Sequence, residues 1–136
     1  MNFQYSMRTI KFRAKELDTC NWVYGELHLH STKPHIHDEF KTKYIDTSTV
    51  GQFTGIHDRN GKEIYEGDFI RSFDSQGKPI IHAIEYENND AQFIVVLAGY
   101  TKYDFGCGGI TQKWINEFEK EVIGNIHDNT ELLKQE

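Results

Sequence analysis

Four of the seven histidines fall within one short stretch: His28, His30, His35 and His37. Imidazole is a common metal ligand, and residues two apart on a strand point to the same side, as two ligands of one ion must. His28 and His30 have that spacing, and His35 and His37 on a following polar loop could complete a tetrahedron. Neither Cys20 nor Cys107 joins the group, Asp38 and Glu39 are the only carboxylates beside it, and the spacing follows no standard zinc pattern. The expectation is therefore solvated or stacked histidines and no metal.

Nucleophilic catalysis needs Ser or Cys beside a base that a third group holds. Cys107 sits in Gly106-Cys107-Gly108-Gly109, where free backbone amides could form an anion-binding nest next to a thiolate. A flexible turn with Cys107 as a small filler explains the same residues. Asp58, Glu63, Glu66 and Asp68 are dense around two turns and could supply an acid/base pair, yet Asp at turns usually bonds its own backbone. No nucleophile elbow, phosphate-binding loop or dinucleotide fingerprint is present. The reading is no catalytic residue, no cofactor and no enzyme.

The cations worth weighing are Arg8, Lys11, Arg13 and Lys15. Ile10, Phe12 and Ala14 alternate with Lys11, Arg13 and Lys15, which predicts a half-buried strand with cations outward. They would either guard a strand edge against mispairing or touch phosphates, and Phe12 beside Arg13 or Tyr24 beside His28 could stack bases. Residues 1–43 carry seven Lys/Arg against five Asp/Glu, and residues 44–136 carry eight against sixteen. An acidic body is a poor match for a polyanion, so nucleic acid held by the Lys11/Arg13/Lys15 face is the alternative to a protein partner.

The elements that position these groups read as mainly β. After the first strand, Trp22 to His30 reads as a strand with Val23, Gly25, Leu27 and Leu29 inward. Ser31 to Glu39 reads as a polar connection broken by Pro34, and Phe40 to Asp46 as a third strand. Val50 to Thr54 leads to Asp58-Arg59-Asn60-Gly61, where Asn-Gly predicts a type I′ hairpin turn. Glu66-Gly67-Asp68 turns the chain into the alternating strand Phe69 to Phe73. Asp74 to Gly77 turns it again, and Pro79 to Glu87 pairs through Asn88-Asn89-Asp90 with Gln92 to Leu97. The run Phe93 to Leu97 is apolar on both faces and should lie deepest. Ile110, Trp114, Ile115 and Phe118 have helical spacing, Glu121 to Ile126 reads as a last strand, and Asn129 should cap a final turn.

With 136 residues and a formal charge of −6, the chain suits one compact domain or two small lobes. It contains no apolar run of spanning length, and the start Met1 to Tyr5 lacks the apolar core of a signal peptide, so a cytoplasmic location is expected. Strands returning every 8–12 residues through tight turns predict a small SH3-like β-barrel over residues 50–136, with strands of an N-terminal β lobe, residues 1–49, added to it and short helices near the C-terminus.

Three blocks together resemble the YopX family of small phage and prophage proteins. They are Ile10-Lys11-Phe12-Arg13-Ala14 with Trp22-Val23-Tyr24-Gly25; Thr49 to Ile56 running into Asp58-Arg59-Asn60-Gly61-Lys62-Glu63-Ile64-Tyr65-Glu66-Gly67-Asp68; and Glu121 to Asn129 with Glu131-Leu132-Leu133. The blocks keep the family's order across nearly the whole chain. Thr130 stands where the family usually has proline, which should leave the start of the final turn looser. The resemblance implies a mostly β protein from a mobile element and brings no catalytic residue. Among the shared positions, Tyr65, Glu66 and Asp68 are the ones polar enough to form a common exposed surface. The expected function is a non-enzymatic binding or interaction module in the bacterial cytoplasm, acting through a protein partner or by self-association.

Overall fold

A computed structural model describes residues 7–104 and 108–134. The chain forms two compact units, residues 1–55 and 56–136, and is mainly β, its strands pairing antiparallel. Phe105, Gly106 and Cys107 lie outside the described residues, and the thiolate reading with them.

The first unit holds β1 (Phe12–Glu16), β2 (Trp22–His28), β3 (His35–Asp38) and most of β4 (Lys41–His57). β1 pairs with both β2 and β4, and β3 also pairs with both. Each of the four strands therefore shares ladders with two others. Alternation sends Ala14, Val23, Ile36 and Ile45 into one apolar cluster, with Phe12, Leu27 and Val50 packed against it. Two expectations change here. β1 is no edge strand, so its cations guard nothing against mispairing. The stretch after Pro34 also forms a strand, because Ile36 buries in the cluster while His35 and His37 flank it on the other face.

β4 joins what the sequence separates into two strands. Its register against β1 jumps from Gly51 opposite Arg13 to Asp46 opposite Lys15. Thr49 fills the gap: its buried hydroxyl accepts from the Lys15 amide at 2.8 Å and donates to the Asp46 carbonyl at 2.6 Å. A side chain thus replaces the missing ladder partner and lets the strand continue through an irregularity.

The second unit contains β5 (Glu63–Tyr65), β6 (Asp68–Phe73), β7 (Pro79–Glu87), β8 (Gln92–Leu97), β9 (Gly108–Gly109), α1 (Gln112–Asn116), β10 (Glu121–Asn125) and a 3-10 turn at Thr130–Leu133. Its sheet runs β10-β6-β7-β8-β9. Ile64, Ile70, Ile84 and Ile115 form the core cluster. The deepest strand is β6, where Asp68, Phe69 and Ile70 are all essentially inaccessible. β8 was expected in that place, but β6 lies between two long ladders, whereas β8 has only the two-residue β9 on its far side.

Two turns repeat one motif, Asp-x-x-Gly-Lys, at residues 58–62 and 74–78. In each, the Gly amide donates to the Asp carbonyl and the Asp amide donates to the Lys carbonyl. Gly61 and Gly77 both have φ near +79°, while Asn60 keeps a negative φ. The turn at Asn60-Gly61 is therefore a three-residue loop with a left-handed glycine rather than the expected type I′ turn. Helix α1 is capped by the Thr111 hydroxyl, which accepts from the Trp114 amide at 3.0 Å. Phe118, expected on its buried face, lies past its end at φ +60° and is 83% exposed.

Candidate functional site

The histidine stretch assembles differently from its sequence spacing. His28 lies opposite His35 across the β2–β3 ladder, and their rings stack at 4.7 Å with an interplanar angle of 10°. Tyr44, opposite His35 on β4, meets that ring edge-on at 6.3 Å. The Lys33 ammonium lies 4.0 Å from the Tyr44 ring centroid. His35 is held in place through Nδ1, which is 3.0 Å from the Lys33 carbonyl and 3.2 Å from the Ser31 hydroxyl. That hydroxyl itself donates to the Lys33 carbonyl at 2.6 Å. His30 falls beyond the end of β2 and is exposed, and His37 is paired with Glu26. No group of three His, Cys, Asp or Glu among the described residues is arranged to hold a metal. The row His28–His35–Tyr44 with Lys33 is thus a polar, aromatic platform on the face opposite the Ala14–Ile45 cluster. Tyr44 there is 42% exposed.

The expected cationic strand contributes less. Arg13 is only 5% exposed, with its guanidinium 4.5 Å from the Trp22 ring centroid. Lys15 lies 5.5 Å from the same ring, and Lys11 lies 5.6 Å from Phe53. The alternation places these cations on the outward side, but side chains around them take Arg13 out of water.

The shared polar positions are also internal. Tyr65 and Asp68 are 2% and 1% exposed, and Asp68 Oδ2 accepts from the Tyr65 amide at 2.7 Å. Gly67 between them donates to the Ile84 carbonyl and accepts from the Ile126 amide. The expected exposed surface at Tyr65, Glu66 and Asp68 is therefore a buried turn, with only Glu66 partly accessible, because the chain cannot tuck this turn under the sheet without an acceptor for the Tyr65 N–H. Asp58 is likewise buried. Its Oδ1 accepts from the Asn60 and Lys62 amides at 2.8 and 2.9 Å, and its Oδ2 accepts from the Val122 amide of β10 at 3.0 Å. Asn125 Oδ1 accepts from the amides of His127 and Asp128, while Asn129 Oδ1 accepts from the Asn125 amide at 3.1 Å. Asn129 thus ties down β10 instead of capping the final turn.

A group that sequence reasoning missed surrounds Trp114. Lys120 is 4% exposed, its ammonium 4.6 Å from the Trp114 centroid and 5.4 Å from Phe118, donating to the Glu117 carbonyl. Burial lowers the Lys120 pKa against the pull of Glu117. His82 meets Trp114 edge-on at 5.7 Å, and burial, then the charge of Lys120, lowers its pKa. Elsewhere, the hydrogen bonds from Lys102 and from the Asn89 amide lower the pKa of Glu87. Burial raises that of Glu85. No signal in the sequence links His82 of β7, Trp114 of α1 and Lys120 of the connection before β10. No helix among the described residues is long and apolar enough to cross a membrane.

The fold resembles that of protein EF1440 from Enterococcus faecalis, known from a crystal structure. The TM-score is 0.61 and the identity 23%, over 94% of this chain and all of that one. No curated protein matches the chain. The family model described as YopX protein matches residues 11–134. The glycine and asparagine turns of the central block and the tied end of β10 are the architecture that this stretch encodes, and the chain belongs to the YopX family.

Proposed function

We propose that the protein is a non-enzymatic binding module whose contact surface is the outward face of its first unit. One observation carries this reading: the rings and cations of the His28–His35–Tyr44 row stand outside the apolar cluster, yet are held in a defined arrangement by Ser31 and the Lys33 carbonyl. The acidic side chains of the turns support it too. Asp58, Asp68 and Asp74 are occupied with backbone amides, and such commitments serve folding. A phage or prophage gene acting in a bacterial cytoplasm is the setting that belongs with this function. An SH3-like arrangement of the second unit, supported by the Glu66-Gly67-Asp68 turn and the β6-β7-β8 meander, would serve as its scaffold.

The test is affinity capture from bacterial lysate with wild-type protein and with a Lys33→Glu/Tyr44→Ala variant. The wild type should retain a macromolecule that the variant loses. Retention of the same set by both would remove the face from consideration.

A further inference from the structure

We propose that the face binds single-stranded nucleic acid, with the His28–His35–Tyr44 row stacking bases and Lys33 meeting a phosphate; this rests on the binding-module reading and names its partner. The argument begins with charge. The first unit carries seven Lys/Arg against six Asp/Glu, whereas residues 56–136 carry eight against fifteen. The acidity that argues against a polyanion therefore belongs to the second unit. On the platform itself, Lys33 stands over an aromatic ring, and Glu26 is the acid beside it, 3.6 Å from His28.

Geometry adds the second part. Single strands are held without sequence preference by aromatic rings that take successive bases and by cations along the backbone. The imidazoles of His28 and His35 stack in parallel, each covering one face of the other, and Tyr44, half exposed beside them, has the Lys33 ammonium over one face of its ring. Because His35 is fixed through Nδ1, little side-chain freedom is lost when a base settles on the row. A duplex keeps its bases paired inside and offers no ring for this platform. The contact also moves away from the Lys11/Arg13/Lys15 strand, where Arg13 is buried against Trp22.

Fluorescence anisotropy with a short labelled oligothymidylate, and with a duplex of equal length, tests this. The single strand should bind better, with an affinity that falls as salt rises. Tyr44→Ala should weaken it roughly tenfold or more, and Tyr44→Phe should restore it. Lys33→Gln should flatten the logarithmic salt slope by about 0.7. Lys113→Gln, on α1 of the second unit, should change neither. Absence of binding at low salt, equal binding of duplex, or indifference to Tyr44→Ala would each overturn the inference. So would a lysate partner that the face retains after nuclease treatment, although that result would leave the binding-module reading standing.

Discussion

Asp58 and Asp74 occupy the same place in two copies of one turn, so their replacement by Ala forms a matched pair. In Asp74→Ala the turn loses the acceptor for the Gln76 and Lys78 amides, both at 2.8 Å. Those amides face solvent and can turn to water, so the loss should be about 1–2 kcal/mol at the usual net value of such bonds. Asp58→Ala loses the equivalent bonds to Asn60 and Lys62 and, in addition, the bond from Oδ2 to the Val122 amide, which ties the turn to β10. An ionised acceptor is worth more than a neutral one, and the part-buried Val122 N–H would be left without its partner. That adds about 1.5–3 kcal/mol, for a total of about 2.5–5 kcal/mol. Asp58→Asn should fall between the two, because an amide offers one oxygen and must leave either the turn or Val122 unserved. Urea unfolding followed by Trp114 fluorescence, in a Trp22→Phe background, reads the second unit alone. The midpoints should shift without a change in slope. If Asp58→Ala costs no more than Asp74→Ala, the bond to β10 contributes nothing and the reasoning fails.

His82 has a folded pKa below its ordinary value of 6.5, so the unfolded chain binds the proton more readily. Stability should be full above pH 6.5 and decline as the pH falls below it; unfolding measured across that range should show a shallower decline in His82→Gln, and identical profiles would refute this. Lys120→Met removes the lesser of the two causes, so the His82 titration followed by NMR should move up without reaching 6.5. Gly124→Ala would place a methyl 2.3 Å from the Asn129 side-chain Oδ1 and should destabilise by about 1–3 kcal/mol. Adding Asn129→Ala should cost less than the sum of the two changes, and strict additivity in urea would argue against the clash. Lys102→Met should remove the main support of the Glu87 carboxylate. The stability that Glu87 lends above about pH 4.5 should then shrink in acid titrations monitored by circular dichroism.

Period-two alternation made the strands of the first unit legible, since Ala14 and Val23 bury where the pattern sends them. The errors have physical causes. Asn60-Gly61 attracts a type I′ assignment, but the Asp three residues before each glycine decides the loop, and the second copy at Asp74 carries the same signal. β3 was obscured because Ile36 is its one apolar residue. An outward position on a strand does not guarantee solvation, since Trp22 packs against the Arg13 guanidinium and keeps it from water. Buried Asp58 and Asp68 look like surface acids until their amide donors are known. The histidine platform depends on the register of His28 against His35, a long-range pairing that spacing along the chain does not encode. The strand spacing singled out His28 with His30 instead.

The double pairing of β1 bears on how the first unit is made. β1 leaves the ribosome before β4, and its ladder to β4 draws on residues from Ile45 to Gln52, which follow roughly thirty to forty residues later. Until Ile36 and Ile45 follow to complete the apolar cluster, the nascent chain has a β1–β2 hairpin with nothing to stack its apolar side against, and an isolated hairpin is marginal in water. Synthesis should therefore run through the whole unit before any of it becomes resistant to proteases, which would then happen in one step.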